Sequence, residues 1–396
     1  MKSHQVQFQS CRLTAATMLM AALLISSTSF SEQKADFCGH YTGTIGDKLQ
    51  IRMNLCSRPG TEAGKKDRIL EGSYFYVSRG TPLSLSGSIG ADGTFTLSET
   101  GDRDKETGRI SGMLAENILN GTWKSVDGKK SFPVRLKEDY TESAAFSTVF
   151  VSETHSYKND SKGPNLNETY FFIEPVKKEG KEAIVAAILS GVFGKRFKKT
   201  LGFEGNMKAA IAEDIKNFEM DTAERLSFKG PPDDAPPTPD WGVESYVRPA
   251  FNDFDVMVLD VYSTEYSGGA HGSYYDQFLV FDLKTGRRVG MKDIFKGDYE
   301  AVLKKLIVKK LEAYFKKALE TDYHGLKDVL LDGNMKAVKP NDNFFINKAG
   351  VGFHYNIYEI TPYALGAFDA FIPFGELKGI LNEKGPVAHL YGEKQE

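Results

Sequence analysis

The chain has 396 residues, 41% hydrophobic and 26% charged, a globular composition that excludes wholesale disorder and a chain embedded throughout in a membrane. Its 50 basic and 53 acidic side chains leave a formal charge of -3. That balance lacks the basic excess that neutralises phosphates, which argues against a nucleic-acid binder, and the length suits two or three domains of ordinary size.

The first element predicted is an export signal over residues 1–31. Lys2 and Arg12 are its charged residues, an apolar run follows over 13–25, and Ser29-Phe30-Ser31 supplies the small-residue end. The run falls short of the roughly 20 residues that a spanning helix needs. The expected location is therefore periplasmic or secreted, with no membrane span after cleavage. Cys11 precedes the apolar run and leaves with the signal. Cys38 and Cys56 remain, and an even pair in an oxidising compartment reads as a disulfide, worth roughly 3 kcal/mol in the chain-entropy picture. Neither has a His or Cys at ligand spacing, so no metal site is expected.

Residues 36–139 read as an all-β domain. Leu49, Ile51, Met53 and Leu55 alternate with polar residues, the period of a half-buried strand. Short strands are predicted over 72–77, 83–89, 94–99, 108–114 and 118–124, separated by turns such as Asp92-Gly93, Asn120-Gly121 and Asp127-Gly128. Such regularity suggests a meander closed into a small barrel or sandwich, with Tyr74, Tyr76, Phe95 and Trp123 as core or rim. A filled interior is the commoner outcome for a small barrel, with a ligand cavity as the alternative.

Beyond it, strands are predicted over 148–157 and 169–174, and helices over 181–193 and 207–218. Five prolines lie in 230–239, which reads as an extended loop or hinge, since proline fixes φ and removes donors. Strands follow near 256–262 and 275–283. A long helix, capped by Asp298, is predicted from the stripe Val302, Leu303, Leu306, Ile307, Leu311, Tyr314, Phe315 and Ala318. Lysines 304, 305, 309, 310, 316 and 317 take its solvated face. Strands at 344–346, 352–356 and 368–373 and a short helix at 374–381 complete an α+β fold class.

Two segments stand out. Tyr266-Ser267-Gly268-Gly269-Ala270-His271-Gly272-Ser273-Tyr274-Tyr275 is glycine-rich, which lets a partner approach the main chain closely, and it holds a histidine, the side-chain type whose unperturbed pKa is near neutrality. Phe353-His354-Tyr355-Asn356-Ile357-Tyr358-Glu359-Ile360-Thr361-Pro362-Tyr363-Ala364-Leu365-Gly366 puts rigid rings on a turn, and such rings recognise ligands at low entropic cost. The ligand-binding candidates are Tyr266, Gly268, Gly269, His271, Tyr274, Tyr358 and Tyr363. A hydrolase would instead use His271 as base with Glu265 or Asp276 as its orienting acid. No Gly-x-Ser-x-Gly elbow, phosphate loop or His-Glu-x-x-His helix supports catalysis, and no cofactor is implied.

These segments carry a resemblance. Tyr266-Ser267-Gly268-Gly269-Ala270-His271-Gly272, Phe281-Asp282-Leu283-Lys284-Thr285-Gly286, Asp293-Ile294-Phe295, the aromatic turn through Gly366, and Ile372-Pro373 resemble the extracytoplasmic module of RsiV-like proteins. That module also occurs beside the catalytic domain of PdaC-type peptidoglycan deacetylases. It corresponds here to residues 143–385, with the Pro-rich loop inside it; the β domain lies outside the resemblance. The resemblance implies an α+β fold and, as in the sensors, lysozyme binding. The segment before the apolar run is too short to hold a sigma factor, and no deacetylase domain is present. The expected function is that of an exported, non-catalytic envelope protein that recognises a lysozyme-type hydrolase or cell-wall glycan. The alternatives are an envelope hydrolase and a periplasmic scaffold or assembly factor that binds through its β domain.

Overall fold

The computed structural model describes residues 36–60, 67–101, 105–160, 162–177, 180–230 and 237–392. The expected signal peptide, Cys11 and residues 231–236 of the Pro-rich loop lie outside these residues. Among the described residues no helix is long and apolar enough to cross a membrane.

Eight antiparallel strands form the N-terminal barrel: β1 (Phe37–Ile45), β2 (Leu49–Arg58), β3 (Arg68–Tyr76), β4 (Leu83–Ile89), β5 (Thr94–Thr100), β6 (Glu106–Ala115), β7 (Ile118–Ser125) and β8 (Ser131–Glu138). Each pairs with the next, and β8 returns to β1 from Tyr41↔Glu138 to Ile45↔Val134, which closes the meander. Closure removes free edges and requires strongly coiled strands. At Gly72 a Cβ would stand 2.0 Å from the Asn54 carbonyl oxygen, so only glycine permits that approach. The interior is packed by Tyr41, Ile51, Met53, Leu70, Tyr74, Phe95, Leu97 and Ile110. Tyr76 and Trp123 sit half-buried at its margin. Glu99 also points inward. It is buried as an acceptor for the Tyr74 hydroxyl, for Trp123 Nε1 at 2.7 Å and for Thr107 Oγ1 at 2.5 Å, so its charge is met by donors.

The chain then adds β9 (Phe146–Ser156), β10 (Asn165–Pro175), β11 (Trp241–Asp253), β12 (Val256–Tyr266) and β13 (Ser273–Asp282). These strands continue the same sheet, because β9 pairs with β1 at Cys38↔Phe146. Strand β1 thus serves the barrel along its C-terminal half and the open sheet at its start. Cys38 and Cys56 face each other across β1 and β2 and form the disulfide. Strands β10 and β11 run parallel, and their connection carries α1 (Glu182–Phe193) and α2 (Gly202–Leu226). Ile184, Ile188, Phe193, Met207 and Ala210 on these helices pack on Tyr170, Phe172, Val247 and Leu259 of the sheet.

The other face of the open sheet meets the C-terminal layer: α3 (Met291–Ile294), α4 (Tyr299–Leu319), α5 (Leu326–Val329), β14 (Phe344–Ile346), β15 (Gly350–Tyr355), β16 (Phe368–Pro373), α6 (Phe374–Leu377) and α7 (His389–Gly392). Strands β14, β15 and β16 form a separate antiparallel sheet. The predicted stripe on α4 narrows to Leu303, Ile307, Leu311 and Phe315 as its buried line, while Val302, Tyr314 and Ala318 are exposed. One i, i+4 row suffices because the three-stranded sheet meets the helix along a single seam. Asp298 occupies the N-cap position of α4 but makes no side-chain capping bond. Lys309 and Lys310 of the solvated face reach Glu376, at 3.6 and 2.7 Å.

Candidate functional site

Strands β12 and β13 form a hairpin whose loop is the glycine-rich segment. Gly268 and Gly269 take φ of 106° and 95°, a region that side chains rarely enter. The loop rests on the end of α2. There Asp221 accepts from Arg225 Nε at 2.6 Å, and Arg225 Nη1 donates to the Pro237 carbonyl at 3.0 Å. A Cβ on Gly268 would lie 3.1 Å from the Pro239 ring. The Tyr266 hydroxyl closes the loop by donating to the Gly269 carbonyl at 3.3 Å.

The aromatic turn follows β15. Glu359 N–H donates to the Asn356 carbonyl at 3.1 Å, while Asn356 N–H donates to Glu359 Oε2 at 3.0 Å. Asn341 Nδ2 holds the other carboxylate oxygen at 2.8 Å. Inside this braced turn Tyr358 adopts φ of 62°, a left-handed conformation costly for a bulky side chain, and remains 54% exposed. Pro362 leads into the short turn Tyr363–Leu365, and Ala367 N–H then donates to the Tyr274 hydroxyl at 3.1 Å.

The two segments lie side by side. The rings of His271 and Tyr363 stack at 3.7 Å with 14° between their planes. His271 Nδ1 is 2.9 Å from the Gly272 carbonyl, which can only accept, so Nδ1 carries the proton. In the neutral ring Nε2 is then an acceptor, and the Tyr358 hydroxyl lies 3.4 Å from it. Tyr358 and Tyr363 are 5.7 Å apart between centroids, and Tyr274 meets Tyr363 edge-on at 6.3 Å. His271, Tyr274, Tyr358 and Tyr363 thus make one surface. Tyr266 makes no ring contact with them and serves, with Gly268 and Gly269, to shape the loop. Beside Tyr358 opens a polar hollow of about 450 Å³ lined by Gln277, Arg288, Asn341, Asp342 and Glu359.

Neither acid expected to orient His271 is hydrogen-bonded to it, since its ring nitrogens meet Gly272 and Tyr358. Glu265 is exposed and sits opposite Ser273 in the hairpin. Asp276 is 3.9 Å from His354 Nε2, whose Nδ1 is 2.8 Å from Asp369. Burial, and then the charge of Asp260, push the Asp276 carboxyl up to about 6, against the pull of His354 and Arg248. Burial alone would lower His354, but the hydrogen bond to Asp369 and the charges of Asp369 and Asp276 outweigh it, so its pKa is raised.

Asp276 stood out in the sequence only as a partner for His271, and His354 and Glu359 only as parts of the aromatic segment; Asp260, Asp369 and the hollow's Gln277, Arg288, Asn341 and Asp342 carried no signal. They are single residues from separate strands and loops, with no fixed spacing. Among the described residues no group of three or more His, Cys, Asp or Glu could hold a metal ion.

Comparison with known proteins finds a family match over part of the chain and solved structures of similar fold. Residues 292–375 match the family described as "Protein of unknown function (DUF3298)", a stretch that holds Tyr358 and Tyr363 but not the glycine-rich loop. A solved member of the DUF3298 family from Bacteroides fragilis is 25% identical, with a TM-score of 0.53, and the match spans 64% of this chain and 100% of that one. A DUF3298 family protein from Pseudomonas aeruginosa is 15% identical, with a TM-score of 0.44 over 61% of this chain and 97% of that one. No curated protein matches.

Proposed function

We propose that this protein works outside the cytoplasm as a non-catalytic binding protein of the cell envelope, and that the His271–Tyr358–Tyr363 surface holds a cell-wall glycan. The observation that carries the reading is Tyr358. A large ring is kept exposed in a conformation that stability alone would give to glycine or asparagine, within a turn braced by Asn341, Asn356 and Glu359. Flat, amphipathic rings cover the apolar faces of sugars, and adjacent amide and carboxylate groups meet hydroxyls. The stacked rings and the polar hollow beside Tyr358 offer both.

The hydrogen bonds of His271 support binding over turnover, since its ring nitrogens meet Gly272 and Tyr358 and neither meets an acid. A lysozyme-type protein is the second reading. It draws on the resemblance of the two converging segments to RsiV-like modules. Co-sedimentation with purified peptidoglycan sacculi and capture on immobilised lysozyme separate the two. Sedimentation with sacculi, lost in Tyr363→Ala, is the expected result. Capture by lysozyme alone would replace the glycan with the protein partner, and binding to neither would reject the proposal.

A further inference from the structure

A second concavity, of about 440 Å³, lies between the barrel and the open sheet, away from the aromatic surface. Leu85, Phe251, Val258, Phe278 and Ile346 give it apolar walls. Its charged lining is Glu71, Arg248, Asp260 and Asp369, three acids against one base. Arg248 lies deep among protein atoms, yet 40% of its side chain is solvent-accessible because the concavity reaches it.

Most of these charges are partly spent on one another. Arg248 Nε donates to Asp260 Oδ2 at 3.0 Å and its Nη1 to Glu71 Oε2 at 3.1 Å. Arg58 holds the other oxygen of Glu71 at 3.0 Å. His354 meets Asp369 at 2.8 Å. One buried oxygen of this lining is left over. Asp260 is only 8% exposed and lines the concavity, but its Oδ1 has no hydrogen-bond partner. A buried carboxylate oxygen without a donor is costly, and it gains most from a charged one. Asp369, with 45% of its side chain exposed, adds a second carboxylate on the same lining.

We propose that this cleft is a binding site for an alkylammonium group, the side chain of a lysine. The aliphatic stem lies along Phe251, Val258 and Phe278, and the ammonium donates to Asp260 Oδ1 and Asp369. The compact, three-donor ammonium suits an orphaned oxygen and a nearby acid better than a planar guanidinium, whose fork would need a whole carboxylate free. This site is independent of the aromatic surface, and neither stands or falls with the other.

Saturation-transfer NMR with N-acetyl-lysine N-methylamide tests it, with the norleucine analogue as the uncharged probe of the same stem. The lysine probe gives transfer with the wild type, and the norleucine probe gives about tenfold less, the loss expected for one charge-assisted bond. Asp260→Asn reduces the lysine signal about tenfold. Asp47→Asn, at an exposed barrel turn, leaves it unchanged. Absence of a lysine signal, equal signals from the two probes, or full binding by Asp260→Asn overturns the proposal. If Asp260→Asn does not fold, Asp369→Asn decides: a several-fold loss supports the site and an unchanged signal overturns it.

Discussion

Tyr358 is where stability and function part company. A left-handed backbone costs an L-residue about 1–2 kcal/mol, and glycine escapes that cost while paying some chain entropy. Tyr358→Gly is therefore expected to raise the unfolding free energy by up to about 1 kcal/mol. The same change removes the ring that faces the polar hollow, so binding to sacculi falls. Denaturant unfolding and co-sedimentation on one preparation check both halves; a variant that is less stable and still binds contradicts the argument. Tyr363 acts differently, because its face is the platform on which His271 lies. The two tyrosines were visible in the sequence as rings on a Pro-containing turn. Their meeting with His271 was not, since the hairpin loop and the turn are 87 residues apart between His271 and Tyr358 and only tertiary contacts join them.

At the scale of elements, the aromatic turn is located by side chains that cover the free edge of β13. Asn343 Oδ1 accepts from Phe278 N–H and its Nδ2 donates to the Asp276 carbonyl, both at 2.8 Å. Asn356 accepts from Asp276 N–H at 2.8 Å and donates to the same carbonyl at 2.9 Å. Two amide side chains thus do the work of a neighbouring strand and tie the three-stranded sheet to the large one. Asn343→Ala leaves the Phe278 N–H without its acceptor and is expected to cost about 1–2 kcal/mol in thermal or denaturant unfolding; a loss below about 0.3 kcal/mol would show that water replaces the amide. Strands β4 to β7 were legible because one face meets a core and the other largely meets water, so apolar residues alternate, and β2 was legible because polar Asn54 alternates with Met53 and Leu55 although both of its faces are covered there. Strands β1, β8 and β11 were not. Strand β1 is covered on both sides over Cys38–Tyr41, which erases alternation, and it carries a buried His40. Strand β8 contains Pro133, and β11 contains Pro249 at a register shift, residues that argue against strand from sequence alone. The turn between β11 and β12 gave no warning either, because Phe254 and Asp255 take positive φ with no glycine.

In the molecule as a whole, the barrel and the layers behind it are locked by a polar joint. Asp253 is fully buried, with Arg52 Nη1 at 2.7 Å and His40 Nε2 at 3.0 Å from its Oδ1, and the Arg52 guanidinium lies 4.2 Å over the Phe254 ring. No spacing rule links His40, Arg52 and Asp253, so this joint could not be read before the strands were placed. Elsewhere the fold keeps a carboxyl at odds with its surroundings. Burial pushes Glu168 up to about 7 from an ordinary 4.5, outweighing the Tyr170 hydroxyl that donates to it. A carboxyl raised in the folded state favours folding most when protonated. Its contribution is complete below about 4.5 and is lost as pH rises through about 7. Glu168→Gln keeps the shape and the acceptor while removing the charge. It should melt higher than the wild type at pH 7.5 and match it at pH 4.5; equal melting temperatures at both values would place the ordinary pKa in the folded protein.

The central claim is that the converging loop and turn form a glycan-binding surface, and the aromatic ring resonances of His271, Tyr358 and Tyr363 report on it most directly. Titrating soluble peptidoglycan fragments into the isotope-labelled protein should move those signals together, saturably, with the hollow residues Gln277 and Asn341 following. Ring signals that stay fixed while the fragments shift resonances elsewhere, or nowhere, would contradict the account.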